Sequence, residues 1–191
     1  EYASNGGRIN TDFIDNSAGV DTSDHEVNIK ILLDELVRDG ELTVKQRNEL
    51  LAQMTDEVAA LVLDDNYQRN VALQNAAASA PQMLQVHADW LRRLEKMGVL
   101  DRKLAGLPTA KQLRERQTQG RGLTTPELAM LMSYTTIALA DELLETTLPD
   151  DPYLRAELEA YFPTPIRERF GHRLDGHPLR REIIVTQVVN R

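Results

Sequence analysis

Apolar residues recur at three- and four-residue steps through most of this chain, a spacing that predicts amphipathic α-helices. The first such pattern extends from about Gly19 to Arg38, and Gly40 follows it where a glycine commonly ends a helix. Thr43 then caps a second helix, whose apolar stripe continues to Val62. We therefore expect a mainly α protein, organised as a multi-helix bundle.

Further helices are predicted from prolines, glycines and capping residues. The polar residues at 64–66 are expected to separate the second helix from a third, and Pro81 to open a fourth that packs inward through Trp90 and ends at Gly98. The remaining predicted helices are a polar one at 111–119, one capped by Thr124, and a last one at 178–189.

The start of the chain has a different pattern. Ile9, Thr11 and Phe13 alternate with polar residues, which predicts one strand at Arg8–Ile14, followed by a turn at 15–16. A strand tip, a turn and a helix start form the arrangement in which α/β enzymes commonly bind ligands. We therefore expect a short N-terminal extended segment, which is either left over from an α/β (Rossmann-type) catalytic domain whose other strands are missing or runs as extended coil over the helices. Residues 1–40 would be the tail of that domain, and 41–191 a C-terminal helical domain.

Composition narrows the function classes. The 191 residues carry a net charge of −8, with a pI near 5.0, which argues against a nucleic-acid or anionic-membrane surface. There are no cysteines, so disulfides and thiolate metal sites are excluded. Without an apolar run of membrane-spanning length or a signal peptide, a cytoplasmic location is expected. The chain begins without Met, so we expect an excised piece of a larger protein.

A group of acidic residues around His25 raises the question of a metal site. The group comprises Asp12, Asp15, Asp21, Asp24 and Glu26. Because His25-Glu26 is not followed by a second histidine at H-E-x-x-H spacing, no metal site is expected. The other histidines, His87, His172 and His177, have no nucleophile or carboxylate at motif spacing, so no catalytic residue is assigned.

Two polar residues have a structural and a functional interpretation. Ser23 and Glu26 fit the S-x-x-E pattern of a capping box at a helix start. Asn16, between Asp15 and Ser17, fits an Asx-turn. From spacing alone these structural interpretations are the more common ones.

A family resemblance changes that balance. The run from Gly6 to Asn28 resembles the signature of the large bacterial NAD-dependent glutamate dehydrogenases. It is more distantly similar to the Asn-Ala-Gly-Gly-Val-x-x-Ser-x-x-Glu segment of the small hexameric enzymes, although Ala18 replaces a glycine. The residues that match the shorter pattern are Asn16, Gly19, Val20, Ser23 and Glu26. Other runs that resemble the same family, in the same order, lie at 48–63, 98–102, 122–128, 161–163 and 177–184.

The resemblance implies a function and two site residues. The whole enzyme would oxidatively deaminate L-glutamate to 2-oxoglutarate and ammonia, with hydride transfer to NAD. Ser23 would bind the distal carboxylate of the substrate, and Asn16 would lie beside the nicotinamide. The chain lacks a G-x-G-x-x-G fingerprint and the glycine-rich segment of the family's catalytic lysine, so it is not expected to bind NAD or to be active alone.

The resemblance also implies partners. These are glutamate or 2-oxoglutarate, NAD, the remaining domains of the same polypeptide, and further copies in a homo-oligomer, with no nucleic acid or membrane. The alternative hypothesis is a non-catalytic helical module for assembly or interdomain interaction, because most residues lie beyond the signature and form no catalytic constellation.

Overall fold

Helices form the regular structure of this chain in a computed structural model that describes residues 2–190. The α-helices are α1 (Asp12–Asp15), α2 (Ser17–Arg38), α3 (Val44–Gln53), α4 (Thr55–Lys96), α5 (Ala110–Thr118), α6 (Thr125–Leu144), α7 (Arg155–Tyr161), α8 (Thr164–Phe170) and α9 (Arg180–Asn190). Short 3₁₀ segments lie at Ala3–Asn5, Leu148–Asp150, Pro152–Leu154 and Gly171–Gly176. None of the helices within residues 2–190 has the length and apolar character needed to cross a membrane.

The strand predicted at Arg8–Ile14 is wrong. Residues 12–15 form the helical turn α1, which begins with N–H groups of Ile14 and Asp15 donating to the Thr11 carbonyl at 3.0 and 3.2 Å. The part of the chain that the structure describes contains no strand to pair with this segment, and Phe13 stays 42% exposed while Ile14 is buried. A helical turn therefore buries the apolar side chain that an isolated strand could not, and no extended remnant of a Rossmann-type domain is shown.

The predicted helix breaks at residues 64–66 and at Pro81 are also wrong, because α4 is continuous through both. Asn66 does not leave the helix, since its amide donates to the Val62 carbonyl one turn earlier at 2.7 Å. The break falls instead at Met54, the buried residue between α3 and α4.

Pro81 lies in the interior of α4, where it cannot donate a backbone hydrogen bond. The chain at Gly122 packs directly against this point: a Cβ at position 122 would come within 2.4 Å of the Ala80 carbonyl carbon. Only glycine allows this close approach. Gly122 therefore has a packing role against α4.

Other sequence predictions are confirmed. The helix at 17–38 ends with Gly40 at φ +80, in the left-handed conformation that glycine favours. Thr43 forms a full capping box with Gln46 at the start of α3. Residues 125–144 and 180–190 are helical, the latter despite its β-branched residues, because Ile183, Ile184 and Val185 are buried in a core.

The chain divides into two compact units. The Ser23 unit comprises residues 16–67 and 142–190, and the Trp90 unit comprises residues 2–15 and 68–141. These units follow spatial contacts, and the proposed domain boundary at residue 40 stays a prediction.

Each unit has its own apolar core. The fully buried side chains of the Ser23 unit include Leu32, Leu33, Leu36, Phe162 and Ile166. Those of the Trp90 unit include Leu73, Leu91 and Leu94. Burying a leucine side chain contributes about 1.5–3 kcal/mol, so each core supplies its unit with a substantial stabilising term.

Candidate functional site

Asn16 occupies the N-cap position of α2, directly after α1. Its backbone, at φ −103 and ψ 9, makes the turn between the two helices, and its exposed side chain accepts no capping hydrogen bond from the first turn of α2. The predicted position at a helix start is confirmed, but the Asx-turn hydrogen bond is not formed. The amide group of Asn16 is thus available to solvent and to ligands.

Ser23 lies well inside α2 and not at its start. Its side chain is exposed, and the hydroxyl donates to the Gly19 carbonyl one turn earlier at 3.1 Å. Glu26, its partner in the suggested capping box, forms an ion pair with Lys30 that lowers the pKa of the Glu26 carboxyl. The capping interpretation is therefore wrong, because neither residue lies at the helix start.

The two predicted site residues share one face of α2. Asn16, Val20, Ser23 and Val27 follow one another at intervals of four, three and four residues, which places them along one line of the helix. All four are exposed, with Val20 at 77% and Val27 at 53%. This signature face therefore presents an amide, a hydroxyl and two apolar side chains together.

The opposite face of α2 packs inward with buried polar groups. Asn28 donates from its side-chain amide to the Tyr161 hydroxyl at 2.8 Å, and that hydroxyl donates to the Asp24 carboxylate at 2.8 Å. Burial raises the pKa of Tyr161 above its ordinary value, the Asn28 hydrogen bond opposes this, and the Asp24 charge raises it further. The phenol therefore remains protonated and acts as a permanent donor to Asp24.

His177 ties the same region to the loop before α9. Its Nδ1 accepts from the Leu179 backbone N–H at 3.1 Å, so Nε2 carries the proton and donates to the Asn28 carbonyl at 3.0 Å. The ring is neutral in this arrangement and 3% exposed. His177 is thus a structural histidine, and no sequence pattern predicts its pairing with Asn28, which lies far away in the chain.

His25 is the most deeply buried ionisable side chain of α2, at 1% exposure. Its ring stacks on Tyr161 with centroids 4.3 Å apart, and its Nε2 lies 3.8 Å from the Asp65 carboxylate of α4. Asp21, one turn before His25, offers a carboxylate oxygen to the same point. Asp21 and His25 were candidates from the sequence, but Asp65 was not, because its approach depends on the packing of α4.

Two arginines of the Trp90 unit, Arg116 and Arg121, make local contacts. Arg116 forms two hydrogen bonds with Glu127 at 2.6 and 2.8 Å, and Arg121 donates to the Ser4 carbonyl. Burial alone would raise the pKa of Glu127, but the Arg116 guanidinium and the Thr124 N–H hold it below its ordinary value. Arg116 and Arg121 therefore serve in local ion pairing and hydrogen bonding.

Sequence comparisons define the class of protein. Residues 1–76 match the family described as bacterial NAD-glutamate dehydrogenase, catalytic domain. Residues 120–191 match the family described as glutamate dehydrogenase, C-terminal. The chain thus carries parts of an oxidoreductase of the glutamate dehydrogenase class.

Similarity to individual proteins gives the particular family. The chain is 48% identical over 190 residues to the NAD-specific glutamate dehydrogenases of Pseudomonas aeruginosa and of Mycobacterium tuberculosis, and 47% identical to that of Halomonas elongata. Each alignment covers 100% of this chain and 12% of the relative. The chain belongs to the family of large bacterial NAD-specific glutamate dehydrogenases and spans about an eighth of the length of these relatives.

Proposed function

We propose that this chain is the part of an NAD-dependent glutamate dehydrogenase that holds the distal carboxylate of glutamate through Ser23 and the nicotinamide end of the cofactor through Asn16. The whole enzyme would convert L-glutamate to 2-oxoglutarate and ammonia. The observation that carries the proposal is the signature face of α2, on which both side chains are exposed about two helical turns apart.

The hydroxyl of Ser23 suits a carboxylate ligand. In the structure its proton is directed to the Gly19 carbonyl, a bond within one helical turn that a rotation about χ1 would exchange for an external acceptor. Val20 and Val27, one turn to either side, are apolar surfaces that can exclude water from such a contact. A carboxylate hydrogen bond in that setting is charge-assisted, and so stronger than a neutral one.

The residues of this chain fit only the nicotinamide end of NAD. The exposed amide of Asn16 offers a donor and an acceptor, as a nicotinamide carboxamide requires. The cofactor, when bound, accepts the hydride from the substrate. In this proposal the chain orients reactants, and the phosphate-binding loop and catalytic lysine belong to other parts of the enzyme.

The proposal extends to partners. The remaining domains of the same polypeptide would cover the signature face, and the whole enzyme would act as a homo-oligomer in the cytoplasm. The alternative function, a non-catalytic assembly module, would use the exposed valines of the same face as a contact surface.

The test is Ser23→Ala in the full-length enzyme that contains this chain. Loss of a hydroxyl that bonds a carboxylate should cost about 1.5–3 kcal/mol, which is about a ten- to hundredfold rise in KM for glutamate. The KM for NAD should stay within about twofold, because the hydroxyl would not contact the cofactor.

Thr22→Ala is the matched control. The Thr22 hydroxyl is also exposed, and it also donates to a carbonyl one turn earlier, that of Ala18, at 2.7 Å. Both substitutions remove the same local bond from α2, but Thr22 points away from the signature face. An equal effect of the two variants on glutamate KM, or none, would contradict the substrate role and favour the assembly module.

A further inference from the structure

The buried imidazole of His25 has an unusual environment. Within the described residues neither of its ring nitrogens has a hydrogen-bond partner, although the side chain is 1% exposed. Burying such a group without a partner costs free energy, and most buried polar side chains avoid this. Nε2 lies 3.8 Å from the Asp65 carboxylate, which is too far for a hydrogen bond.

Two carboxylates converge on this imidazole. Asp21 and His25 lie four residues apart on α2 and so share one face, and Asp65 reaches the same point from α4. One ligand atom from each of the three lies within 4.8 Å of the others. Asp21 and Asp65 are only half-buried, so the group is open to solvent on the carboxylate side.

We infer that Asp21, His25 and Asp65 form a binding site for a divalent transition-metal ion of the Zn²⁺ class. Ligand atoms around Zn²⁺, at bonds of about 2.0–2.2 Å, are separated by about 3–4 Å. The three side chains would therefore need to move only slightly closer together to bind the ion. An imidazole with two carboxylates favours Zn²⁺ over Mg²⁺, which prefers oxygen ligands and retains its water. Two carboxylates also neutralise the charge of a divalent ion.

The ion would join two helices and would not act in catalysis. Asp21 and His25 lie on the side of α2 that faces inward, whereas Ser23 lies on the exposed signature face. A metal held by α2 and α4 would therefore fix the packing behind the substrate-binding face. Because an ion that binds only the folded state raises its stability, the site predicts metal-dependent melting.

The experiment is calorimetric titration of the 191-residue chain with ZnCl₂ and, separately, with MgCl₂. We expect one Zn²⁺ site, with Mg²⁺ binding at least about tenfold weaker. Asp65→Asn should weaken Zn²⁺ binding by about tenfold or more, and so should His25→Gln. The control is Asp64→Asn, which removes a carboxylate from the adjacent, exposed position of α4 and should change the affinity by less than about twofold.

Thermal melts followed by circular dichroism provide the second readout. At the same Zn²⁺ concentration, the rise in Tm should be similar for the native chain and Asp64→Asn and clearly smaller for Asp65→Asn. Asp65 is partly exposed, so Asp65→Asn is expected to fold. The proposal can therefore still be tested if His25→Gln does not fold. Zn²⁺ binding that is absent from the native chain, or that survives unchanged in folded Asp65→Asn, would overturn the proposal.

Discussion

The Ser23 unit and the Trp90 unit differ in what they bury. The buried polar side chains of the Ser23 unit include His25, Asn28 and His177, all three in or against α2. In the described part of the Trp90 unit, Arg102 is the one buried charged or polar side chain. It donates hydrogen bonds to the Glu95 carboxylate and the Pro108 carbonyl. The Ser23 unit therefore combines an apolar core with several buried polar side chains, whereas the interior of the Trp90 unit is almost wholly apolar.

This difference shows where the chain has specialised. Buried polar groups cost free energy unless they are hydrogen-bonded, so a fold that only needs stability favours apolar packing. The Trp90 unit meets that expectation, whereas the Ser23 unit retains a buried network directly behind the helix that carries Ser23 and Asn16. We infer that the network holds α2 in a fixed orientation, which a binding face requires.

The largest effect is expected for a cavity in the Trp90 unit. Leu91 is fully buried, so Leu91→Ala should lower the free energy of unfolding by about 2–5 kcal/mol. Leu91→Met, which conserves volume, should cost less than about 1.5 kcal/mol, because an apolar interior tolerates such exchanges. Urea denaturation measures both. Equal losses of unfolding free energy in the two variants would show that this core depends on the exact shape of its side chains. The contrast between a tolerant apolar interior in the Trp90 unit and a specific polar network in the Ser23 unit would then be weaker.

Local rules predicted much of the fold from the sequence. Thr43 and Gly40 mark helix ends correctly because capping and left-handed turns depend on neighbouring residues. The prediction that Pro81 opens a new helix was wrong. The chain at Gly122 packs against that part of α4, and no local pattern contains this long-range contact. The prediction of a strand at Arg8–Ile14 was wrong for a similar reason. Alternation of apolar and polar residues predicts a strand only where a partner strand exists.

A middle-sized effect is expected in the polar network of the Ser23 unit. Tyr161→Phe removes the hydroxyl that links Asn28 to Asp24 but keeps the ring that stacks on His25. It should cost about 1–3 kcal/mol, because one of these hydrogen bonds involves a carboxylate.

The matched control lies in the Trp90 unit. Tyr134 is also partly buried, and its hydroxyl forms no hydrogen bond within residues 2–190, so Tyr134→Phe should stay within about 0.5 kcal/mol of the native chain. If both variants lose the same stability in thermal melts, the hydroxyl network contributes nothing specific to the Ser23 unit.

The candidate site was predictable in part. Ser23 and Asn16 are predicted from a resemblance to a family motif, and the helical spacing of α2 places both on one exposed face, while their ligand roles stay predictions. Asp65 and Tyr161 could not be found, because each reaches α2 from a distant segment whose packing no spacing rule describes. The i, i+4 spacing of Asp21 and His25 was the one local signal of the buried cluster.

The smallest effect concerns His87, on the part of α4 that belongs to the Trp90 unit. Burial lowers the pKa of His87 below the ordinary value of 6.5. The unfolded chain therefore binds more protons than the folded chain as the pH falls through 6.5, so this histidine lowers stability on the acid side and has no effect above it. His87→Gln should accordingly reduce the fall in Tm between about pH 7.5 and pH 5.5. Above about pH 7.5 the native and variant proteins should show parallel melting temperatures, which is the internal control. A steeper acid-side fall in the variant would mean that His87 gains a stabilising partner on protonation, and the Trp90 unit would then contain a polar contact like those of the Ser23 unit.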